Sequence, residues 1–366
     1  MKIVQVVEST ATGTLSIVRL IANRFAEHGH EVHVIYSVRA DTPAALGDLF
    51  DRRVALHHVQ MSGAHALTSI VTLRRMLVRL CPDVIHLHSS LAGFIGRIAT
   101  IATLADAVLL YSPHCISFMR RDTSAAKRRL FIMLERLAGI RPCRYVACSE
   151  SERRAIRSHL GRPAEVIENA IGRTAAPPPS RQRSTAHSCE VVTAGGIRVQ
   201  KNPRLFAEIA RRMPDSHIRF TWIGDGDDTL RLKLAAAGVQ VTGWLPHDAV
   251  TERLRSADIY LSTSTWEGMP VSLIEAMACG LAIVATRCAG NVDVIDPPRT
   301  GILFDDIDMA ITMLGRLAGN PHACARLGAA ARREARTRFD GMRLFRQLQD
   351  LYGHPPRTLT RPDSPE

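Results

Sequence analysis

The stretch Thr265-Trp-Glu-Gly-Met-Pro-Val-Ser-Leu-Ile-Glu-Ala-Met-Ala-Cys-Gly280 carries two glutamates eight positions apart, Glu267 and Glu275. Ala257-Asp-Ile-Tyr-Leu-Ser262 precedes it and Leu281-Ala-Ile-Val-Ala-Thr286 follows, both β-like, so the unit reads strand, loop, helix, strand, as in a parallel crossover. Glu267 then falls on the loop after a strand's carboxyl end and Glu275 early in the helix. In open α/β sheets that edge is where ligands bind. A plainer reading stands beside this one: Ser272-Leu-Ile-Glu275 fits a capping box, in which Glu275 only satisfies a backbone donor at the helix start. Pro270 points the other way, because proline favours the first helical position and would leave Glu275 inside the helix, facing a ligand.

A chain of 366 residues is too long for one ordinary core, and two domains are expected. Hydrophobic residues make up 46% and charged residues 22%, the balance of a folded globular protein rather than a disordered one. The eight cysteines form no Cys-x-x-Cys pair and several sit in apolar runs, as buried, reduced thiols of a cytoplasmic protein do. Met1-Lys-Ile-Val-Gln-Val-Val7 is broken by Gln5 and followed by Glu8, so it reads as a strand and not a signal peptide. The longest apolar region, 91–111, is interrupted by Arg97 and Asp106, and no integral membrane segment is expected. Of the net charge of +12, residues 1–165 carry +9, with 22 Lys or Arg against 13 Asp or Glu. Such asymmetry suits an anionic partner of the first half, although a solvated basic face accounts for it equally well.

The chain opens with a βαβ pattern: a strand over 3–7, a helix over 15–28 and a strand over 31–36, joined by the small, hydroxylated loop Glu8-Ser-Thr-Ala-Thr-Gly-Thr14. Gly13 in that loop suits either a tight turn or close approach of a phosphate to a helix N-terminus. A strand over 83–88 sets His86 and His88 on one face, but no third ligand with useful spacing appears, so no metal site is expected. His114 follows the strand 107–111, at the same ligand-facing edge of the fold as the decisive stretch. Residues 124–137 form a basic amphipathic helix, with Lys127, Arg128, Arg129 and Arg136 set among Leu130, Phe131, Met133, Leu134 and Leu137. Its apolar stripe either meets a membrane surface or packs into the core. The expected organisation is a first domain over 1–172, a Pro- and Ser-rich linker over 173–188, a second domain over 189–335, a C-terminal helix over 336–352 packing back towards the first domain, and a disordered tail over 353–366.

Glu267-Gly-Met-Pro-x4-Glu275-Ala-x-Ala-x-Gly280 resembles the E-x7-E signature of the family-4 retaining glycosyltransferases. In order along the chain, Gly29-His-Glu-Val32 is similar to that family's N-terminal helix exit, Val166-Ile-Glu-Asn-Ala-Ile171 to its interdomain segment and Gly196-Ile-Arg-Val-Gln-Lys-Asn202 to its phosphate-binding segment. Ile223-Gly-Asp-Gly226 is similar to its next glycine loop, and Val241-Thr-Gly-Trp244 to its base-binding loop. The likeness reaches to about Tyr352. One departure stands out: the family's usual arginine after the first glycine of the phosphate segment is absent from Gly195-Gly196, and Arg198, two residues on, is the candidate to replace it.

The resemblance implies the α/β GT-B architecture, two facing Rossmann-like domains with parallel sheets and a cleft between them. It implies retaining transfer of a sugar from a nucleotide-sugar donor to a glycan or lipid-linked acceptor in surface polysaccharide assembly, with no cofactor and no metal. By the same likeness His114 and Glu267 are the catalytic candidates, both acting on sugar hydroxyls. Glu275 takes the donor ribose, Arg198 and Lys201 the diphosphate, and Gly13, Gly224, Gly243, Trp244, Gly268, Met269 and Pro270 complete the donor site. An anionic membrane surface on the inner face of the membrane is a further candidate partner. Nucleic acid is not, since aromatic residues are only 5% and not interleaved with the basic runs. Two other readings keep the same fold: a non-catalytic membrane or nucleic-acid binding protein, and a nucleotide-sugar epimerase.

Overall fold

The computed structural model describes residues 1–61, 66–172, 188–214 and 217–353; the expected linker, but for Ser188, and the expected tail beyond Gly353 lie outside the described residues. Two wholly parallel sheets organise the chain. The first has the order β3-β2-β1-β4-β5-β6-β7, built from β1 (Lys2–Val7), β2 (Glu31–Tyr36), β3 (Val54–His58), β4 (Val84–His88), β5 (Val108–Ser112), β6 (Arg144–Ala147) and β7 (Ala164–Val166). The second has the order β10-β9-β8-β11-β12-β13, from β8 (Cys189–Ala194), β9 (Ile218–Ile223), β10 (Gln240–Val241), β11 (Ile259–Ser262), β12 (Ala282–Thr286) and β13 (Ile302–Phe304). Strand order reverses beside β1 in one sheet and beside β8 in the other. At such switch points the connecting chains part and leave a crevice at the carboxyl edge.

The central strands are apolar on both faces because helices cover both, as parallel sheets require. Ile3 and Val7 of β1 pack with α1 (Thr12–Glu27), while Val4 and Val6 turn to the opposite core with α2 (Ala66–Leu80) and α3 (Ser90–Ala99). Helix α1 begins at Thr12, earlier than the loop reading of 8–14 allows, so Gly13 lies in its first turn. On the second sheet, α9 (Val271–Cys279) packs between β11 and β12 and against α12 (Pro321–Arg338).

After α12 the chain turns at Phe339-Asp340 and α13 (Gly341–Gly353) crosses to the first sheet. Leu344, Phe345, Leu348, Leu351 and Tyr352 join the core of α1 there, with the rings of Phe345 and Tyr352 each 4.8 Å from that of Phe25. Polar contacts hold the crossing: Arg338 pairs with Glu168, and Arg343 Nη2 donates to the carbonyls of Glu168 and Asn169 at 2.8 and 3.0 Å.

The basic helix α4 (Ala125–Ala138) is anchored by a buried charge pair as well as by part of its apolar stripe. Buried Arg97 of α3 pairs with Glu135 at 2.5 Å, and Tyr111 Oη donates to the same carboxylate at 2.9 Å. The stripe divides: Phe131 and the neighbouring Ile132 pack against the core of the first domain, whereas Leu130, Met133, Leu137 and the following Ile140 are left between 46% and 67% exposed. Glu135 decides which face turns inward, because a buried carboxylate must reach its guanidinium.

Candidate active site between the two sheets

The loop between β11 and α9 is stitched to the glycine-rich segment after β8. Thr263 Oγ1 donates to the Lys201 carbonyl at 2.8 Å, and Thr265 N to the Gln200 carbonyl at 2.9 Å. That places Lys201 Nζ 2.9 Å from Glu267 Oε1. Ser264 Oγ donates to the same oxygen at 2.8 Å and Gln200 Nε2 to Oε2 at 3.0 Å, so both oxygens of this buried carboxylate are engaged. Burial is the largest single influence and opposes the charge on Lys201, but the charge and hydrogen bond of Glu267, with Tyr260, together hold the ammonium above its ordinary value.

The capping-box reading of Glu275 fails. Helix α9 starts at Val271 with Pro270 as its N-cap, Ser272 Oγ pairs with Tyr260 Oη at 2.9 Å, and Glu275 lies a full turn inside. Its Oε1 lies 3.9 Å from His247 Nδ1. Burial pushes the Glu275 carboxyl up to about 7, against the pull of Arg19 and Lys201.

Around this pair stand the other predicted donor residues. Gly224 (φ +138°) approaches Gly195 so closely that a Cβ would lie 2.3 Å from its carbonyl oxygen, which keeps the two loops in contact. Gly243 bridges back to Gly224, and the Trp244 ring beside it is half exposed. Gly13 lies against Val271, with 3.3 Å between a built Cβ and Val271 Cγ2, so the first turns of α1 and α9 meet. Neither helix has a side-chain cap or an acidic residue in its first turn. Met269 is fixed through Asn169, whose Nδ2 donates to the Met269 carbonyl at 2.9 Å. Arg198 is turned to the first domain, where it pairs with Asp41, itself 3.3 Å from Arg39. The sequence signals for Asp41 and Asn169 as partners were absent, since each meets a residue at least 100 positions away.

His114 (φ 53°) faces this wall from the end of β5, and its Nε2 is 2.9 Å from His88 Nδ1. The two walls touch at Gly268, where a Cβ would stand 2.7 Å from Cys115 N. Gly268→Ala is therefore expected to prop the cleft open and lower turnover at least about tenfold while each domain melts nearly as before; steady-state kinetics and calorimetry check this. His86 and His88 hydrogen-bond to protein groups, and among the described residues no cluster of His, Cys, Asp and Glu is arranged to hold a metal.

Two Rossmann-like domains facing across such a cleft define the GT-B architecture. Residues 12–170 match the family profile described as a glycosyl transferase 4-like domain, and residues 188–320 that of glycosyl transferases group 1; the chain belongs to this glycosyltransferase family. It is similar to the UDP-Gal:alpha-D-GlcNAc-diphosphoundecaprenol alpha-1,3-galactosyltransferase of Escherichia coli, 25% identical over 69% of this chain and 70% of that one. A GDP-mannose-dependent alpha-mannosyltransferase of Mycolicibacterium smegmatis is 25% identical over 80% of each chain. Among solved structures, Anabaena HepE in complex with UDP and glucose superposes with a TM-score of 0.78 at 17% identity, covering 96% of this chain and 98% of that one. Sucrose-phosphate synthase of Thermosynechococcus elongatus gives 0.82 at 16% identity with the same coverage.

Proposed function

We propose that this chain is a metal-independent, retaining glycosyltransferase that moves a sugar from a nucleotide-sugar donor to a glycan or lipid-linked acceptor in surface polysaccharide assembly. The observation that carries this reading is the opposition, across one cleft, of the Lys201–Glu267 pair and Glu275 on one wall and His114 on the other. Breaking the anomeric C–O bond builds charge on the departing diphosphate. Lys201 and the uncapped amide ends of α1 and α9 are placed to receive it, and they supply the electrostatic role a metal fills elsewhere. Arg198 joins them by exchanging Asp41 for a phosphate oxygen. Glu267 orients sugar hydroxyls, and Glu275 accepts from the donor ribose.

A double displacement through Glu267 does not suit this geometry, because Lys201, Ser264 and Gln200 already occupy the carboxylate. A front-face mechanism, in which the acceptor hydroxyl attacks as the diphosphate leaves and gives its proton to that phosphate, needs no enzyme nucleophile. The configuration of the new bond, read by NMR, tests this. An α-linked product from an α-linked donor, unaffected by a chelator, is expected; a β-linked product overturns retention. Isomerised donor in the absence of acceptor would instead favour the epimerase.

The lipid-linked acceptor and a peripheral site on the inner membrane face belong to the same reading. From His114 the chain passes through a turn at Ser117–Met119 into α4, whose exposed Leu130, Met133 and Leu137 are flanked by Lys127, Arg128, Arg129 and Arg136. Apolar side chains ringed by cations suit an anionic bilayer. Among the described residues no helix is long and apolar enough to cross one. Replacing Leu130, Met133 and Leu137 together by serine is expected to weaken sedimentation with phosphatidylglycerol vesicles at least about tenfold. Unchanged binding, or equal binding to phosphatidylcholine alone, would contradict it.

A further inference from the structure

A file of polar side chains runs from the candidate site through the core of the first sheet to the last helix. His88 Nδ1 meets His114 Nε2 at 2.9 Å, and His88 Nε2 meets Gln5 Oε1 at 2.5 Å. Gln5 Nε2 donates to Tyr352 Oη at 3.1 Å, and that hydroxyl is 2.8 Å from His86 Nδ1. His86 Nε2 closes the file on Ser112 Oγ at 2.8 Å. Gln5, His86 and His88 are fully buried, where apolar residues would avoid the desolvation that such groups suffer.

The amide of Gln5 gives the file a direction. Its nitrogen only donates and its oxygen only accepts. With the nitrogen turned to Tyr352, the oxygen takes a proton from His88 Nε2. A neutral imidazole carries one N–H, so His88 Nδ1 is an acceptor and the proton shared with His114 belongs to His114 Nε2. Burial keeps the rings neutral, holding His114 down at about 4, His86 at about 3 and His88 well below its ordinary value. His114 Nδ1, the open end of the file, is buried without a protein partner among the described residues.

We propose that Gln5 and Tyr352 are positioning residues that fix His114 in the Nε2–H tautomer, so that its bare Nδ1 accepts a hydrogen bond from a hydroxyl of the donor sugar. The inference rests on the proposed glycosyl transfer and narrows the role of His114 from donor or acceptor to acceptor. It also gives α13 a part in the site: the helix that leaves the second domain carries the hydroxyl that receives the amide N–H. Turning the Gln5 amide over would reverse every proton along the file and present an N–H to the sugar instead.

The test is the nitrogen spectrum of ring-labelled histidine in the full-length protein, with the His114 signals assigned by their loss in His114→Ala. Wild type is expected to show a protonated Nε2 and an unprotonated Nδ1. Tyr352→Phe keeps the ring on Phe25 but removes the hydroxyl, which frees the amide to turn. A second tautomer of His114 should then appear, with kcat/KM for the donor lowered about three- to tenfold, and Gln5→Leu should do the same. An Nδ1–H tautomer in wild type overturns the proposal, as does a tautomer unmoved in both variants, whatever happens to their melting temperatures. The spectrum requires no turnover, so a wild type inert towards every donor but with the stated tautomer would remove the functional reading and leave the relay standing.

Discussion

Lys201→Ala is expected to lower sugar transfer by about 100- to 1000-fold, the loss that follows when one charge-stabilising group is taken from a transition state. It should also destabilise the fold by about 3 kcal/mol, because Glu267 is left buried with its cation gone. The two effects separate in the double exchange Lys201→Ala with Glu267→Gln. Glutamine keeps an acceptor for Ser264 and carries no charge to strand, so stability recovers while turnover does not. Thermal melts and kcat on the four forms check this. Turnover of the double exchange equal to that of Glu267→Gln alone would mean that Lys201 only neutralises Glu267.

Glu275→Gln is expected to trade donor affinity for stability. Burial raises the Glu275 carboxyl from 4.5 to about 7. A carboxyl raised in the folded state contributes stability that is fully present below 4.5 and is lost as pH rises through about 7. Above that pH the wild type holds a desolvated anion, so the variant should be more stable at pH 8, by on the order of 2 kcal/mol, and the gain should vanish near pH 4. The same anion is the acceptor proposed for the ribose hydroxyls. Donor affinity in wild type should therefore fall as pH drops from 8 to 6. In the variant it should be about 10- to 100-fold weaker and insensitive to pH over that span. Titration calorimetry at the two pH values, with melts on the same samples, measures both. A stabilised variant that binds donor as well as wild type would return Glu275 to a structural role.

Much of this site is legible in the sequence because the fold makes it so. Alternating β and α patterns imply parallel sheets, and parallel sheets put the loops bearing Glu267 and His114 at carboxyl edges. The Pro270 and Ser272 signals conflict in sequence. The structure resolves them through Tyr260, a strand residue whose hydroxyl takes Ser272 away from any capping role. The stripe on α4 has one period whichever way it faces, and the long-range pair of Arg97 and Glu135 helps to fix the rotation that buries part of it and leaves Leu130, Met133 and Leu137 exposed. Arg198 is legible as a cation near the phosphates but not as the partner of Asp41, 157 positions away. Gln5 carries a signal whose meaning emerges late. A polar residue in an otherwise apolar strand breaks a signal peptide, and once that strand is buried on both faces it must also find partners. Those partners, His88 and Tyr352, come from β4 and from a helix 347 positions on, which no local pattern encodes.

Transfer of sugar from a nucleotide donor in this cleft is measured by incubating the protein with a panel of UDP-, GDP-, ADP- and dTDP-sugars and following nucleoside diphosphate release. Wild type should consume one donor or a closely related group, slowly to water and faster with a lipid-linked or glycan acceptor, and Lys201→Ala should release at most about one-hundredth as much. A folded wild type that neither binds nor turns over any donor in the panel would mean that the cleft is not a sugar-transfer site.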